Sequence, residues 1–303
     1  MLKTKIKTTP GKSRGLNDCL PYQSVMKKLF IIILLSFPAA LFSQQMNVIS
    51  YNIRLNTPAD GPNAWPKRTK MVTGILRFHE ADIFGLQEAL YDQILDIQHD
   101  FPGYEWFGAG RDDGEKAGEF SPIFYNKSKF ILIKQETFWL SETPEIPSKG
   151  WDAALNRVVT WGKFQSKVTG KQFLVLNTHF DHIGMEARKN AAILIRKKIE
   201  EMTSNKNLPV ILTGDFNLTP DKEPIGLLKK YVRDSFEDSQ EPPFGPTGTF
   251  NGFKLDADLS SRRIDYIFVY GGIEVLKYAT LSNFDDHRFP SDHLPVFVKL
   301  QLR

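Results

Sequence analysis

What most constrains this chain is a succession of short apolar runs, many of which stop at or beside a single Asn, Glu, Asp or His. The runs are Met46–Ile53, Ile83–Leu86, Tyr104–Phe107, Pro122–Tyr125, Phe130–Leu140, Arg157–Phe164, Gln172–Asn177, Leu208–Leu212, Arg263–Tyr270, Ile273–Thr280 and Leu294–Leu300. Bounded by turn residues, they read as strands. Amphipathic stretches between them predict helices over Pro66–His79, Tyr91–His99, Gly184–Met202 and Glu223–Lys230. Pro66 suits a first helical position, where its missing N–H would have no partner anyway. In the longest helix Ala187, Ala191, Ile195 and Ile199 recur at a spacing that builds one buried stripe. Two helices, then hairpin-like strands, then helix again do not form simple βαβ alternation and predict a mixed α/β sandwich. Residues 44–303 contain no linker-like shift in composition and no repeat, so they read as one domain.

The first 43 residues have a different character. Met26-Lys27-Lys28 precede the unbroken apolar run Leu29–Leu35, and Ser36–Ser43 lead to Gln44. A basic start, a short apolar core and a small residue ahead of a polar one describe a secretory signal peptide over 26–43, with Met26 as the start and 1–25 as an upstream extension. The apolar part is short for a membrane span. The expectation is therefore a periplasmic or secreted protein without a stable membrane anchor.

This division decides how charge is read. The whole chain carries a formal net charge of +4. Its first 43 residues hold seven Lys/Arg and one Asp, which leaves 32 basic and 34 acidic residues and a net charge of −2 for the rest. Such a balance gives no general electrostatic support for binding nucleic acid. The single cysteine, Cys19, falls in the leader, so the remainder has neither a disulfide nor a soft metal site built on thiolates.

The polar residues at the strand ends are chemically complementary. Asn52 lies near the end of Val48–Ile53, Glu88 follows Ile83–Gln87 and His179 follows Phe173–Thr178. Asp215 and Asn217 follow Val210–Gly214, Asp265 sits within Arg263–Phe268, and Asp292 and His293 precede Leu294–Val298. Any one of these would more often be a solvated strand end. Together, carboxylates and an amide suit a hard cation such as Mg²⁺, and a carboxylate beside an imidazole suits proton transfer.

The strings Ser50-Tyr51-Asn52, Leu86-Gln87-Glu88, Asn177-Thr178-His179, Gly214-Asp215-Phe216-Asn217, Arg263-Ile264-Asp265-Tyr266 and Ser291-Asp292-His293 resemble, in order, the motifs of the endonuclease/exonuclease/phosphatase (deoxyribonuclease I-like) superfamily. The resemblance covers residues 46–300. It implies a four-layer α/β/β/α sandwich of two mixed β-sheets flanked by helices, with the site on one rim. It also implies a divalent cofactor, Mg²⁺ or Mn²⁺, bound by Glu88 with Asn52 close by, and Asp292 either as a ligand of a second metal or as a support for the first. Asp215 would orient and deprotonate the attacking water, Asn217 would hydrogen-bond the water or a phosphate oxygen, and His293, held by Asp265, would contact the phosphoryl oxygens. His179 stands where the deoxyribonuclease branch carries a general acid. Arg157 is a candidate for binding substrate phosphate through paired donors.

The expected activity is metal-dependent hydrolysis of a small phosphomonoester or phosphodiester by a monomer. A secreted endonuclease and a sphingomyelinase-like lipid phosphodiesterase are the alternatives. A binding module without activity would have lost Glu88, Asp215 or His293, and all are present. The charged loop Arg111–Glu119, the pair Asp181-His182, the loop Phe244–Phe250 and the residues Trp139 and Trp151 are secondary candidates for lining the substrate mouth.

Overall fold

The computed structural model describes residues 1–2, 4–11, 44–204 and 208–303. The predicted signal peptide at 26–43, the start at Met26 and Cys19 lie outside the described residues, as does most of the upstream extension 1–25. The account below concerns the compact unit that begins with the first strand.

Strands β1 (Gln44–Asn52), β2 (Ile83–Gln87), β3 (Tyr104–Phe107), β4 (Ile123–Asn126), β11 (Ile273–Thr280) and β12 (Val296–Leu302) build one six-stranded sheet in the order β11-β12-β1-β2-β4-β3. A second six-stranded sheet, in the order β5-β6-β7-β8-β10-β9, takes β5 (Phe130–Trp139), β6 (Val158–Ser166), β7 (Gln172–His179), β8 (Val210–Asp215), β9 (Arg233–Asp234) and β10 (Asp265–Tyr270). Both sheets are mixed: β1 runs parallel to β2 and β7 parallel to β8, while β12 and β10 return antiparallel beside them.

Side chains alternate across each strand, so each sheet has an inner and an outer face. Val296, Val298, Leu300 and Leu302 of β12 meet Phe173 and Val175 of β7 and Ile267 and Val269 of β10 in the core between the sheets. Leu174 and Leu176 of β7 face the other way. They pack with Tyr266 and Phe268 of β10 under helices α3 (Met185–Thr203) and α4 (Glu223–Lys229). On the far side, Ile49, Tyr51, Phe84 and Leu86 pack under α1 (Thr69–Phe78) and α2 (Tyr91–Asp100). These are the four expected layers. The predicted stripe of α3 is buried at Ala187, Ala191, Ile195 and Ile199.

The differences from the sequence reading have identifiable causes. The stretch Pro66–His79 is a 3₁₀ turn, Trp65–Lys67, followed by α1, with a break at Arg68, whose φ is −127° and ψ −3°. The Arg68 side chain turns inward, 2% exposed, and donates to the carbonyls of Ile53, Arg54, Asn63 and Pro290. Strands β7 and β8 run on through His179 and Asp215, so both residues belong to the ladder. Strand β6 begins at Val158 and β10 at Asp265, which leaves Arg157 and Arg263 just outside. The two-residue β9 and helix α5 (Ser235–Asp238) are too short for any periodic signal. Asp234 holds them in place, accepting from Phe236 N at 3.1 Å and pairing with Arg263 at 2.7 Å.

Polar side chains tie the sheets together near the site. Asn177 is fully buried and donates to Leu86 O at 2.7 Å and Pro122 O at 3.0 Å. It accepts from Gln87 Nε2 at 2.7 Å and Thr213 Oγ1 at 3.0 Å. The packing is close enough that a Cβ at Gly85 would lie 2.4 Å from Thr213 Oγ1.

Candidate active site

Strand register explains why residues far apart in sequence meet. The C-terminal ends of β1, β2, β7 and β8 and the N-terminal ends of β10 and β12 share one rim. Within the second sheet His179 pairs with Asp215 across β7 and β8, and Asp215 pairs with Asp265 across β8 and β10. Paired residues present their side chains on the same face. Thr249 Oγ1 accepts from both Ile264 N at 3.0 Å and Asp265 N at 3.1 Å, which pins the start of β10.

Asp215 is the centre. Its Oδ2 accepts from Asn52 Nδ2 at 3.0 Å and lies 3.5 Å from His179 Nε2 and 3.7 Å from His293 Nε2. Its Oδ1 accepts from Asn217 N at 2.9 Å. Burial, reinforced by the Asp265 carboxylate, pushes the Asp215 carboxyl up to about 7, against the pull of His293. His293 Nδ1 is 2.9 Å from Asp265 Oδ2. Burial disfavours the charged ring, but Asp265 and Asp215 together outweigh it and hold the His293 imidazole protonated well above its ordinary value. The ring also meets Phe250 edge-on, with centroids 5.0 Å apart.

The oxygen donors lie on the neighbouring sheet. Asn52 Nδ2 donates to Glu88 Oε1 at 3.0 Å as well as to Asp215. Its amide oxygen accepts from Arg54 N at 3.0 Å. Asn52 therefore presents an N–H, rather than its oxygen, to both carboxylates. Glu88 Oε2 is met by Leu55 N at 3.3 Å and by Arg54 Nη1 at 3.6 Å. The Asp292 carboxylate accepts from Ser291 Oγ at 3.3 Å, and burial raises it, with His293 opposing and Glu88 reinforcing that rise. These two carboxylates supply the oxygen ligands that a hard divalent cation takes. Asp215, Asp265 and His293 also have ligand-type atoms within 4.8 Å of one another. There, however, one ligand would be the His293 imidazole, whose Nδ1 is already taken by Asp265 Oδ2, and a hard cation prefers carboxylate oxygen. Glu88 and Asp292 are the better cation ligands on this chemistry.

His179 is set differently from His293. Asn217 Nδ2 donates to Phe180 O at 3.0 Å, which fixes the orientation of that amide. The same nitrogen is 3.1 Å from His179 Nε2, so Nε2 must accept and the ring proton sits on Nδ1. Glu119 Oε2 stands 3.8 Å from that Nδ1. Burial, with Arg157 and Arg111 nearby, holds His179 neutral. A neutral ring in this tautomer orients Asn217 and is a weak proton donor towards a leaving group.

Arg157 is 4% exposed and stands behind His179. Its Nη2 lies 3.1 Å from His182 Nδ1 and its Nε 3.5 Å from Asp181 Oδ2, while Nη1 has no hydrogen-bond partner among the described residues. Glu119 and Arg111, joined at 2.7 Å, share this small cavity with Arg157 and His179. Glu119 was visible in sequence merely as part of a charged loop, because the β7 residue it faces lies far along the chain. Trp139 is buried and donates to Arg111 O at 2.7 Å, so it supports that loop from below. Phe250 reaches the site, whereas Phe244 at the other end of its loop is exposed and pairs along β11. Trp151, half-buried, donates its backbone N–H to the Glu142 carboxylate.

The backbone carries strain here. Arg54, Glu88 and Arg262 have φ of 57°, 58° and 55°, in the left-handed region that residues other than Gly, Asn and Asp rarely adopt. Such conformations persist where surrounding contacts over-determine them.

Comparison with known proteins agrees with this geometry. The description "Endonuclease/Exonuclease/phosphatase family" matches residues 49–293. The chain is similar to the structure of an endonuclease/exonuclease/phosphatase family protein from Bacteroides thetaiotaomicron, with 40% identity and a TM-score of 0.83 over 86% of this chain and 96% of that one. It is also similar to a mannosyl-6-phosphatase from Bacteroides thetaiotaomicron, with 41% identity and a TM-score of 0.80 over 84% of this chain and 99% of the other. Among curated proteins, the 3′-5′-exoribonuclease subunit of the CCR4-Not complex of Aspergillus niger is 21% identical over 86% of this chain. The match spans 52% of that relative's own length.

Proposed function

This chain belongs to the endonuclease/exonuclease/phosphatase family of hydrolases, and from that premise we propose that it is an exported, divalent-metal-dependent phosphatase acting on a small phosphorylated sugar. The observation that carries the reading is the position of Asp215, within reach of Asn52, His179 and His293 on one rim.

Asp215, once deprotonated, accepts the proton of the attacking water, and Asn217 and Asn52 orient it through their hydrogen bonds. His293, charged and braced by Asp265, donates to the phosphoryl oxygens as they gain charge. A Mg²⁺ or Mn²⁺ ion bound by Glu88 and Asp292 would neutralise the phosphate and stabilise the leaving oxygen. Similarity to the Bacteroides mannosyl-6-phosphatase supports the sugar-phosphate class, and the net charge of −2 beyond the leader argues against a polyanion. The leader-like segment supports export. The exoribonuclease relatives favour RNA as a second reading.

A substrate panel separates them: hexose phosphates, bis-p-nitrophenyl phosphate, plasmid DNA, RNA and sphingomyelin, each with Mg²⁺ and with EDTA. The expected result is release of phosphate from a hexose phosphate, abolished by EDTA and restored by Mg²⁺. Cleavage of RNA or DNA with hexose phosphates inert would overturn the reading. Protein recovered from periplasm or medium should begin at Gln44 by mass spectrometry; an intact leader there would count against export by cleavage.

A further inference from the structure

A pocket of about 610 Å³ opens beside Asn217, between the first turn of α3, the chain leading into α4 and the residues ahead of β10. Asn217 and His182 belong to its wall, and each touches the site: Asn217 through His179 at 3.1 Å, His182 through Arg157 at 3.1 Å. Leu218 and Ile264, both buried, give it an apolar floor. Exposed Arg262 and Glu186 stand at its rim.

The charges of the rim are unequal in what they leave free. Lys189 is already paired with Glu223 at 2.9 Å, and Lys222 with Asp221 at 2.8 Å. Arg262 pairs with no carboxylate among the described residues. Its guanidinium lies 4.1 Å over the ring of Phe250, the residue that meets His293 edge-on. A positive φ of 55° at Arg262 marks a backbone held in place rather than relaxed. Glu186 forms no ion pair among the described residues. Arg188, also in the wall, spends its guanidinium on the carbonyls of Ile183, Gly184 and Asn217, so the pocket offers one uncommitted cation, Arg262, one unpaired carboxylate, Glu186, and an apolar floor.

A nucleic-acid strand would need several free cations and open aromatic faces for its bases, whereas the Phe250 face is covered by Arg262. A pyranose presents C–H groups on its faces and hydroxyls around its edge, each hydroxyl both donor and acceptor. We propose that this pocket is the subsite for the sugar ring of a hexose phosphate, with Arg262 donating to and Glu186 accepting from its hydroxyls. The assignment rests on the sugar-phosphatase reading above and makes Arg262 and Glu186 its specificity residues.

The experiment compares the wild type with Arg262→Ala, Arg262→Lys and Glu186→Gln on mannose 6-phosphate and phenyl phosphate in Mg²⁺. The readout is the ratio of the two kcat/KM values on one preparation, which does not depend on the fraction folded. In Arg262→Ala and Glu186→Gln the ratio is expected to fall about tenfold, mainly through KM for the sugar phosphate, because the sugar hydroxyls lose their partners. Arg262→Lys should recover part of the loss. A ratio within twofold of wild type in both Arg262→Ala and Glu186→Gln overturns the pocket assignment while leaving the sugar-phosphatase reading intact. A wild type that cleaves phenyl phosphate but no hexose phosphate overturns that reading, and this assignment with it.

Discussion

The two sheets bring different chemistry to the shared rim. The first supplies the oxygen donors Glu88 and Asp292 and the amide of Asn52. The second supplies His179, Asp215, Asp265 and, just past β8, Asn217. Two side chains reach across: Asn52 to Asp215 at 3.0 Å and His293 to Asp265 at 2.9 Å. Under the proposed function, this contrast puts the handling of a cation and the handling of protons on separate strands. A cation beside Glu88 then need not compete for the imidazole that Asp265 keeps charged.

The strongest way to break this division is at its proton side. Asp215→Asn should lower kcat by about 10³-fold, the scale of losing a positioned general base. Its thermal midpoint should stay level or rise, because a buried carboxyl raised to about 7 is replaced by a neutral group of the same shape. The sign of the pH dependence follows. A carboxyl raised to about 7 keeps its proton below that pH, so the base form appears, and kcat/KM climbs, as pH rises through about 7. The apparent value belongs to Asp215 together with the His293 ring beside it. A pH–rate profile of Asp215→Asn should lack this rising limb; near-wild-type turnover, or an unchanged limb, would assign the base elsewhere.

A cut on the cation side should behave differently. Glu88→Gln is expected to cost about 10²-fold at low Mg²⁺ through weakened metal affinity, and titrating in Mg²⁺ should restore part of it. Asp215→Asn should show no such recovery. If Mg²⁺ leaves the Glu88→Gln loss untouched, the separation of the two halves fails.

The smallest effect on chemistry should come from the scaffold joining them. Asn177→Ala removes a buried amide that makes four hydrogen bonds to Leu86, Pro122, Gln87 and Thr213. It should cost about 3 kcal/mol of stability through the polar groups left unpaired. Turnover per folded molecule should change little. An unaltered denaturation midpoint would show that water replaces the amide without loss.

Much of this was legible in sequence where the signal was local. Strands Tyr104–Phe107 and Ile273–Thr280 match their predicted bounds, and the other predicted strands shift by a few residues at their ends. The residues quoted for the site, from Asn52 to His293, stand along one rim. Arg68 was not legible: its sequence position reads as helix interior, and the carbonyls that draw it inward come from Ile53, Arg54, Asn63 and Pro290. Gln87 and Asn177 lay inside the recognised strings, yet nothing local distinguished these sheet-tying amides from the carboxylate of Glu88 and the imidazole of His179 beside them.

The sequence by itself determined the fold class, the family resemblance and the set of reactive residues, because alternation and motif order are short-range patterns. Which group touches which was decided by the tertiary structure alone. Asn52 meets Asp215 across 163 residues of chain, and Ser291 binds Asn52 O across 239. Burial and carboxylate neighbours set opposite states for two histidines of the same type: His293 charged beside Asp265, and His179 neutral with its proton directed to Glu119. A protonation state depends on desolvation and on charges within a few ångströms, and those distances exist only once both sheets have closed on each other.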